Sequence, residues 1–285
     1  MPYIVDIKAA EKLFPDYTFV RPLTPSEQKA AFHVTDKATG NDLCLKMIAP
    51  NYERDRLDRE IQALQDINHP NVVKLIEYTF SSKPGSHLHY IVEEFIEGHD
   101  LTATLIPGKP WSTKAVAEFF SPLCDGLFAM KEKEIVHRDL KPANIRVRPN
   151  GSPVIIDFGL ARHLNLPDLT LTIAGAAIGT PRYFAPEQFD GTKHDIDHRT
   201  DLFAVGILIY EALNGESPFY HPGMTAISQL RQAVCESTVH LTKASFLALD
   251  PKWKTLLTRL LEKERAKRPA DARQLSAVLK KLGGI

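Results

Sequence analysis

The chain has 285 residues, of which 44% are apolar and 25% charged, as is typical of a globular protein that buries a sizeable core. Its 35 basic and 35 acidic side chains balance, so no net field draws it to nucleic acid or to a membrane surface. The composition therefore argues against a nucleic-acid partner.

The cysteines and the N-terminus indicate the compartment. Cys44, Cys124 and Cys235 lie far apart and are odd in number, so they match neither a disulfide framework nor a metal-ligand spacing. Such cysteines are typical of a reducing environment, and we predict a cytoplasmic location. Residues 1–10 contain charged side chains and no long apolar run, so we expect neither a signal peptide nor a membrane segment.

The first part of the chain predicts a small sheet with one helix. An apolar run with a single lysine follows the turn signal Thr39-Gly40-Asn41, which is typical of a strand. A charged segment with leucine and isoleucine at helical spacing stops at Asn68-His69-Pro70, where a helix should end. The predicted elements are strands at residues 42–48, 72–80 and 87–95 and a helix at residues 52–67.

After Gly98 the pattern becomes mainly helical. Residues 201–213 are almost wholly apolar, as expected of a helix that is buried on all sides. A small sheet-rich part followed by a larger helical part places a cleft near residues 93–100. The predicted elements are helices at residues 113–133, 201–213, 253–261 and 271–282 and short strands at residues 145–147 and 154–156.

Two short segments carry side chains suited to phosphoryl transfer: His-Arg-Asp-Leu-Lys-Pro-Ala-Asn at residues 137–144 and Asp-Phe-Gly at residues 157–159. Such chemistry requires that the phosphates are held, that their charge is neutralised and that the attacking hydroxyl is aimed. Asn144 and Asp157 offer oxygen ligands of the kind that Mg²⁺ prefers. Asp139 can accept the hydroxyl proton, and Lys141 can balance the charge of the γ-phosphate.

These segments resemble the eukaryotic-like protein Ser/Thr kinase family, whose catalytic loop reads H-R-D-x-x-x-x-N and whose metal loop reads D-F-G. The likeness extends from about Tyr17 to Leu282. It implies an α+β, bilobal fold with a small β-rich N-lobe that contains one key helix and a larger helical C-lobe. The domains that it implies are an N-terminal extension at residues 1–16, an N-lobe at 17–97 and a C-lobe at 98–285.

The resemblance also assigns roles to residues outside the two segments. Lys46 matches the strand lysine that contacts the α- and β-phosphates, and Glu60 matches the helix glutamate that pairs with it. The implied cofactors are ATP and Mg²⁺, with Mn²⁺ as an alternative ion. The implied cofactor-binding set is Lys46, Glu60, Cys44, Glu94, Ile96, Asn144 and Asp157, of which Asn144 and Asp157 hold the metal.

Three further matches concern the support of the site. Glu187, in Ala185-Pro186-Glu187, matches the glutamate that pairs with a buried arginine, here Arg268. Asp201 matches the aspartate that supports the catalytic loop. Thr180, expected to bond Asp139 and Lys141, marks a Ser/Thr rather than a Tyr kinase.

The glycine-rich loop of the family is missing. Its pattern G-x-G-x-x-G aligns with residues 24–29, Thr-Pro-Ser-Glu-Gln-Lys, which contain no glycine. Pro25 lacks a backbone donor for phosphate, and Glu27 brings a carboxylate toward negative charge that Lys29 or Lys37 would have to offset. Three interpretations stay open: a displaced loop with weaker nucleotide binding, a loop that cannot hold ATP, and a loop with another role such as substrate contact.

Two charged residues fall where the family places apolar ones. Glu93 aligns with the gatekeeper position before the hinge, and Arg146 aligns with the residue beneath the adenine. A charge in a dry pocket costs several kcal/mol unless it is paired. We expect both charges to reach water or a partner, with the stem of Arg146 lining the adenine floor. A one-residue error in the alignment of these short strands is the alternative.

Regulation is expected in the segment after Asp157. A phosphate beside an arginine gains charge-assisted hydrogen bonds and can order a loop. Phosphorylation of Thr170 or Thr172, in the same segment as Thr180, is expected to raise activity through Arg138. The phosphate would come from an upstream kinase or from trans-autophosphorylation; an unmodified, intrinsically ordered loop is the alternative.

The sequence therefore predicts an ATP- and Mg²⁺-dependent protein kinase that acts on Ser or Thr hydroxyls of protein substrates. A pseudokinase that serves as a binding or scaffolding module is the first alternative, because the glycine-free loop, Glu93 and Arg146 all depart from the family. A kinase of small molecules is the second, although the Ala-Pro-Glu segment resembles one that docks peptides.

Overall fold

The computed structural model describes residues 3–25, 29–48, 64–80, 89–157, 180–189 and 196–285. These residues belong to two compact units, one with the described parts of 1–69 and 73–96 and the other with those of 70–72, 97–157 and 180–285. A five-stranded sheet dominates the first unit, and helices dominate the second. The α+β fold with a sheet-rich first part and a helical second part is confirmed.

The sheet of the first unit is antiparallel, with the spatial order β1-β2-β3-β5-β4. A tight turn joins β2 to β3, where Asp36 accepts the N–H groups of Ala38 and Thr39 and Gly40 has a φ of 72°. The strands are β1 at Tyr17–Pro22, β2 at Lys29–Asp36, β3 at Asp42–Ile48, β4 at Leu75–Phe80 and β5 at His89–Glu94.

The two faces of this sheet differ because successive side chains of a strand point to opposite sides. One face is apolar and packs against helix α1, Ile7–Leu13, whose N-terminus is capped by Asp6. The opposite face carries the alternating residues of β3 that include Cys44 and Lys46. The buried cluster on the apolar face consists of Ala10, Phe14, Ala30, Phe32, Val34, Leu43, Leu45, Met47 and Val92.

Two predicted elements of the first part differ from the structure or lie outside it. The strand predicted at 72–80 begins only at Leu75, because Val72 forms a parallel bridge with Ile155 and belongs to the second unit. The helix predicted at 52–67 falls largely outside the described residues. Only its end is described, where residues 64 and 65 are helical and Leu64 is buried.

The second unit contains seven described helices and a three-stranded sheet in the order β6-β7-β8. Caps fix several helix starts: Ser112, Asp250 and Asp271 each accept a backbone N–H of the first turn. The strands are β6 at His99–Asp100, β7 at Ile145–Val147 and β8 at Pro153–Ile155. The helices are α2 at Thr113–Lys131, α3 at Pro186–Phe189, α4 at Arg199–Asn214, α5 at Ile227–Cys235, α6 at Ala244–Leu247, α7 at Pro251–Leu260 and α8 at Ala272–Gly283.

Helix α4 is the buried helix that the apolar run predicts. Nearly all of its residues are buried, and it ends at Gly215, whose φ of 68° is the left-handed conformation of a helix C-cap. Gly206 permits close approach to α7, because a Cβ at this position would lie 2.8 Å from the Cβ of Leu260. Among the residues that the structure describes, no helix combines the length and apolarity needed to cross a membrane. None of the three cysteines, all of them in the described residues, forms a disulfide bond.

Gly98, just before β6, is the glycine that the backbone depends on most. Its φ is 121°, and an added Cβ would lie 2.0 Å from the carbonyl oxygen of Val147. We predict that Gly98→Ala lowers the free energy of unfolding by about 3 kcal/mol or more, from strain and overlap together.

Gly40→Ala is the matched control for this measurement. Its φ is also positive, 72°, but an added Cβ would meet nothing within 4 Å. The backbone strain alone should cost about 1 kcal/mol. Urea unfolding of both variants checks the prediction, and equal losses at the two positions would contradict it.

Candidate active site

Asp201, in the first turn of α4, fixes the backbone of residues 137–139. Its Oδ2 accepts the N–H of His137 at 2.8 Å, and its Oδ1 accepts the N–H of Arg138 at 2.9 Å. The carboxylate is buried, so these two donors replace the water that it loses. Arg138 has a φ of 62°, a conformation that non-glycine residues adopt rarely and that the surrounding bonds must hold.

The buried ring of His137 links this loop to the residue before Asp157. Its Nδ1 accepts the N–H of Asp139 at 3.3 Å, and its Nε2 lies 3.1 Å from the carbonyl oxygen of Ile156. A neutral ring that accepts at Nδ1 donates from Nε2, so both contacts are satisfied by one tautomer. The histidine therefore positions backbone on both sides of the site.

Asp139, Lys141 and Asn144 form one hydrogen-bonded cluster. The Lys141 ammonium donates to Asp139 Oδ2 at 2.8 Å, and the Asn144 amide donates to the same oxygen at 3.1 Å and to the Asp139 carbonyl at 2.8 Å. The three side chains come from a short 3₁₀ turn, Pro142–Asn144, and from the residues just before it. The structure thus brings together three of the predicted site residues.

The residues predicted to bind metal are joined through backbone. The N–H of Ile156, which precedes Asp157, donates to the Asn144 carbonyl at 3.0 Å, next to the pairing of Ile145 with Ile155 in β7 and β8. Because the Asn144 Nδ2 donates to Asp139, its Oδ1 is the atom of that amide that can face a cation. An amide oxygen and a carboxylate are the donors that Mg²⁺ prefers, so this pair fits the ion.

In the first unit, Lys46 forms a buried ion pair with Glu93. The Lys46 ammonium donates to Glu93 Oε2, and the two side chains are only 8% and 4% exposed. Cys44, two residues before Lys46 on β3, is the direct cross-strand neighbour of Glu93 on β5. Glu60, the predicted partner of Lys46, lies outside the described residues.

Arg146 also has a charged partner, within the second unit. Its guanidinium donates to Asp100 at 2.8 Å and to the Gly98 carbonyl, across the pairing of β7 with β6. The expectation that both unusual charges find partners is confirmed for Arg146 and for Glu93. The predicted contact of the Arg146 stem with adenine stays a prediction.

Glu94 and Ile96, two residues predicted to bind the cofactor, flank the aromatic residue Phe95. Phe95 stacks on His33 with ring centroids 3.8 Å apart and planes 3° apart, and its N–H donates to the Asp42 carbonyl. Glu94 is tied back to Lys74: its N–H donates to the Lys74 carbonyl at 3.0 Å, and its Oε1 accepts the Lys74 N–H at 2.9 Å. Ile96 is buried.

Comparison with known sequences decides the family. The sequence model of the protein kinase domain matches residues 28–279. The chain belongs to the protein kinase family. This match starts after most of the glycine-free segment at residues 24–29, so that segment and β1 lie almost wholly outside it.

The similar curated proteins are bacterial kinases. A probable serine/threonine-protein kinase of Corynebacterium efficiens is 31% identical over 86% of this chain and 37% of its own length. The kinase pkn2 of Myxococcus xanthus is 34% identical over 79% of this chain and 27% of its own length. PknB of Mycobacterium tuberculosis is 32% identical over 70% of this chain and 32% of its own length. The chain thus spans about a third of the length of these relatives.

Glu187 and Arg268 anchor the segment that follows the site in this kinase domain. Two parallel hydrogen bonds of 2.7 and 2.8 Å join the guanidinium to the carboxylate, and Thr200 adds a third at 2.7 Å. Burial raises the pKa of Glu187, but the bonds and charge of Arg268 and the Thr200 hydroxyl hold that pKa below its usual value. The predicted pair is therefore present and fully charged at neutral pH.

Gln188 connects the same segment to the catalytic loop, a role that no sequence pattern indicates. Its Nε2 donates to the Arg138 carbonyl at 2.8 Å, while its Oε1 accepts the N–H of Ala185 at 3.0 Å. A glutamine without a motif around it resembles any polar helix residue, so only the tertiary contact identifies it. Gln188 thus adds a second tie to the strained residue Arg138.

Several predicted residues are not tested by this geometry. Thr170 and Thr172 lie outside the described residues, as does the side chain of Thr180, whose backbone begins the 3₁₀ turn Thr180–Tyr183. Lys37, one of the two lysines expected to offset Glu27, instead donates to the Pro15 carbonyl at 2.6 Å. The ammonium is therefore committed to the connection between α1 and β1.

Glu211 of α4 is a buried carboxyl that the sequence pattern does not reveal. Tyr183, from the 3₁₀ turn, donates its hydroxyl to Glu211 Oε2 at 3.0 Å. Burial raises the pKa of Glu211 to about 7, although bonds from Tyr183 and Ser217 and the charge of Arg182 act against that rise. Burial also raises the pKa of Tyr183, so the phenol stays a donor. In the sequence, a single glutamate within an apolar run is typical of a helix position that faces solvent, so the pattern does not indicate that Glu211 is buried.

We predict that Glu211 makes the stability of the domain fall with rising pH. Its folded pKa of about 7 lies above the unfolded value of about 4.3, so the folded state binds the proton more tightly between these values. Stability from this group is therefore highest below pH 4 and declines as pH rises toward 7. Between pH 5 and pH 8 it should account for a loss of about 2–3 kcal/mol.

Glu211→Gln tests this, because the amide keeps an acceptor for Tyr183 and cannot titrate. Urea unfolding at several pH values should show a smaller decline from pH 5 to pH 8 in the variant than in the wild type. Glu264→Gln, which removes an exposed carboxylate paired with Lys267, is the control and should leave the wild-type slope in place. Parallel curves for Glu211→Gln and the wild type would refute the role of this carboxyl.

Proposed function

We propose that the chain is an ATP- and Mg²⁺-dependent protein kinase that transfers the γ-phosphoryl group to Ser or Thr hydroxyls of protein substrates. The observation that carries the proposal is the Asp139 carboxylate, which Lys141 and Asn144 both contact on a loop held by Asp201. A carboxylate fixed in this way can accept a proton from an alcohol without first reorganising. The named activity of the bacterial relatives supports the same reaction.

The side chains of the second unit divide the work of the transfer. Asp139 orients the acceptor hydroxyl and takes its proton as the oxygen attacks phosphorus. Lys141 offsets the negative charge that surrounds the transferred group. Asn144 and Asp157 would hold Mg²⁺, which when bound neutralises phosphate charge.

The first unit supplies the nucleotide contacts in this proposal. Lys46 contacts the α- and β-phosphates, with Glu60 as the partner that the resemblance implies. Cys44, Glu94 and Ile96 contact the adenine side of the nucleotide. A cytoplasmic location is proposed on separate grounds. The number and spacing of the three cysteines match no disulfide framework, which is typical of proteins in a reducing compartment.

A pseudokinase is the second candidate, and the segment at residues 24–29 favours it. That segment offers no glycine for close approach to phosphate, so its natural consequence is weaker contact with the phosphates and little or no turnover. The intact set of Asp139, Lys141, Asn144 and Asp157 favours the enzyme, because a scaffold needs none of these groups for chemistry.

Phosphate transfer from radiolabelled ATP to a mixed protein substrate distinguishes the two functions. We expect transfer by the wild type that requires Mg²⁺ and is stopped by a chelator. Asp139→Ala and Asp157→Ala should each lower the rate by about 10²-fold or more, because each removes a charge that no neighbour replaces.

Asp125→Ala is the matched control, since this carboxylate lies on α2 in an exposed pair with Lys280 and should leave the rate near that of the wild type. A thermal shift with ATP but no transfer would favour the pseudokinase. Transfer that persists in both Asp139→Ala and Asp157→Ala would refute the assigned roles.

We further propose that phosphorylation in the segment after Asp157 raises activity through Arg138. The support is the position of Arg138, whose backbone is strained and tied to both Asp201 and Gln188. Charge-assisted bonds from its guanidinium to a phosphothreonine would order that segment.

The expected result is that phosphatase treatment, or Ala at both Thr170 and Thr172, lowers the transfer rate by roughly tenfold, as loss of one or two charge-assisted bonds implies. Thr255→Ala on α7 serves as the control, because its hydroxyl bonds only within its own helix turn among the described contacts. Activity that is unaffected by both treatments would exclude this regulation.

A further inference from the structure

Strands β3 and β5 place a lysine and a glutamate diagonally on one face of the first sheet. Cys44 lies opposite Glu93 and Lys46 opposite Ile91, so Lys46 and Glu93 are offset by two residues along the pair. Diagonal neighbours at this offset are within reach of long side chains. The observed hydrogen bond between the Lys46 ammonium and Glu93 Oε2 follows from this register.

The attraction between the two charges offsets the cost of removing both of them from water. Either ion alone would be costly at such low exposure, 8% for Lys46 and 4% for Glu93, so each charge depends on the other. Both Cα positions are fixed by the same backbone ladder. The contact therefore needs no other element of the chain to bring its two partners together.

The glutamate that the family resemblance assigns to Lys46, Glu60, comes from a different segment of the chain than Glu93 does. Glu60 falls within residues 52–67, for which the sequence predicts a helix, and in the family the position of such a helix controls whether the pair forms. Glu93 is bound to the lysine through the sheet itself. The two carboxylates thus differ in what their contact with Lys46 depends on.

We propose that Glu93 is a positioning residue, which holds the Lys46 ammonium on the sheet face in the orientation that the ATP phosphates require. This inference rests on the proposed kinase function. An ammonium has three N–H donors, so one bond to Glu93 fixes its direction while the group can still donate to phosphate oxygens. The carboxylate also places a counter-charge beside the buried ammonium, which offsets part of the cost of removing it from water.

Steady-state kinetics of Glu93→Gln test the positioning role. The amide keeps the shape of the side chain and removes its charge. We expect KM for ATP to rise roughly tenfold, the effect of losing one charge-assisted bond, while KM for the protein substrate stays unchanged. A merely structural role would lower the amount of active enzyme, and so kcat, without changing KM for ATP.

Three companion variants sharpen the result. Glu93→Asp retains the charge and should recover part of the ATP affinity. Glu60→Gln should raise KM for ATP by less than Glu93→Gln does. Glu77→Gln on β4 of the same sheet is the matched control, because that carboxylate bonds Tyr17 and Tyr90 and should not affect KM for ATP.

Two kinetic outcomes would overturn the inference. The first is an unchanged or lower KM for ATP in Glu93→Gln, which would mean that Glu93 does not position the lysine or competes with the phosphates for it. The second is a larger loss in Glu60→Gln than in Glu93→Gln. A rise in KM for ATP that is restored in part by Glu93→Asp supports the inference.

A nucleotide-free measurement separates failure of this inference from failure of the proposed function. Thermal unfolding of Lys46→Met and of Glu93→Met should each show a melting temperature lower by roughly 5–10 °C, because each removes one member of a buried ion pair. The double variant should recover at least half of that loss. If these shifts are additive instead, the pair is not coupled and the inference fails.

Kinetics and unfolding together distinguish the role of Glu93 from the activity of the chain. A wild-type chain that transfers no phosphate refutes the proposed kinase function and with it any positioning role, whatever the unfolding data show. An active wild type with an unaffected Glu93→Gln variant refutes the role of Glu93 alone. An active wild type with coupled unfolding and a raised KM for ATP supports both.

Discussion

The proposed catalytic loop of this domain depends on one buried carboxylate. Asp201 loses its hydration on folding because it is buried. The hydrogen bonds that it accepts from two consecutive backbone N–H groups offset the free-energy cost of that loss. This contact holds Arg138 in its left-handed conformation and so fixes where Asp139 begins. The geometry of the hydrogen bonds from Lys141 and Asn144 to Asp139 therefore depends on the backbone conformation that Asp201 stabilises. The buried start of α4 thus positions the proposed catalytic residues.

The same requirement applies to two ion pairs among the described residues. Glu187 with Arg268 and Lys46 with Glu93 are each a largely buried pair whose members come from separate elements. Because removal of one member of a buried pair is strongly destabilising, each pair fixes the relative placement of two segments more strictly than apolar packing would. Glu211 is the contrast, since its neighbours do not offset burial and its pKa rises to about 7. Burial therefore favours the protonated form of the Glu211 carboxyl.

Local pattern was enough to predict much of the fold and most of the candidate site. The apolar run of α4, the amphipathic repeat of α8 and the motif around Asp139 each carry their information within a few residues. Contacts between distant strands are different: the register that brings Glu93 to Lys46 is a property of two paired strands, β3 and β5, and neither local sequence contains it. The sequence places the start of β4 at residue 72 rather than Leu75 for the same reason, because the bridge between Val72 and Ile155 is also a contact between distant segments. Gln188 and Glu211 have ordinary sequence surroundings, and only tertiary contacts show what they do.

The helix before the first strand determines how this protein can be shortened. Ala10 and Phe14 fill the apolar face of the sheet, and Phe14 meets Tyr90 edge to face at 4.9 Å. A boundary drawn at residue 28, where the family match begins, would delete this helix together with β1. Phe32 and Val34 would then face water, and β2 would become an open edge that can recruit other chains. A version trimmed to the family boundary is therefore a candidate for aggregation, and expression work should retain the first 22 residues.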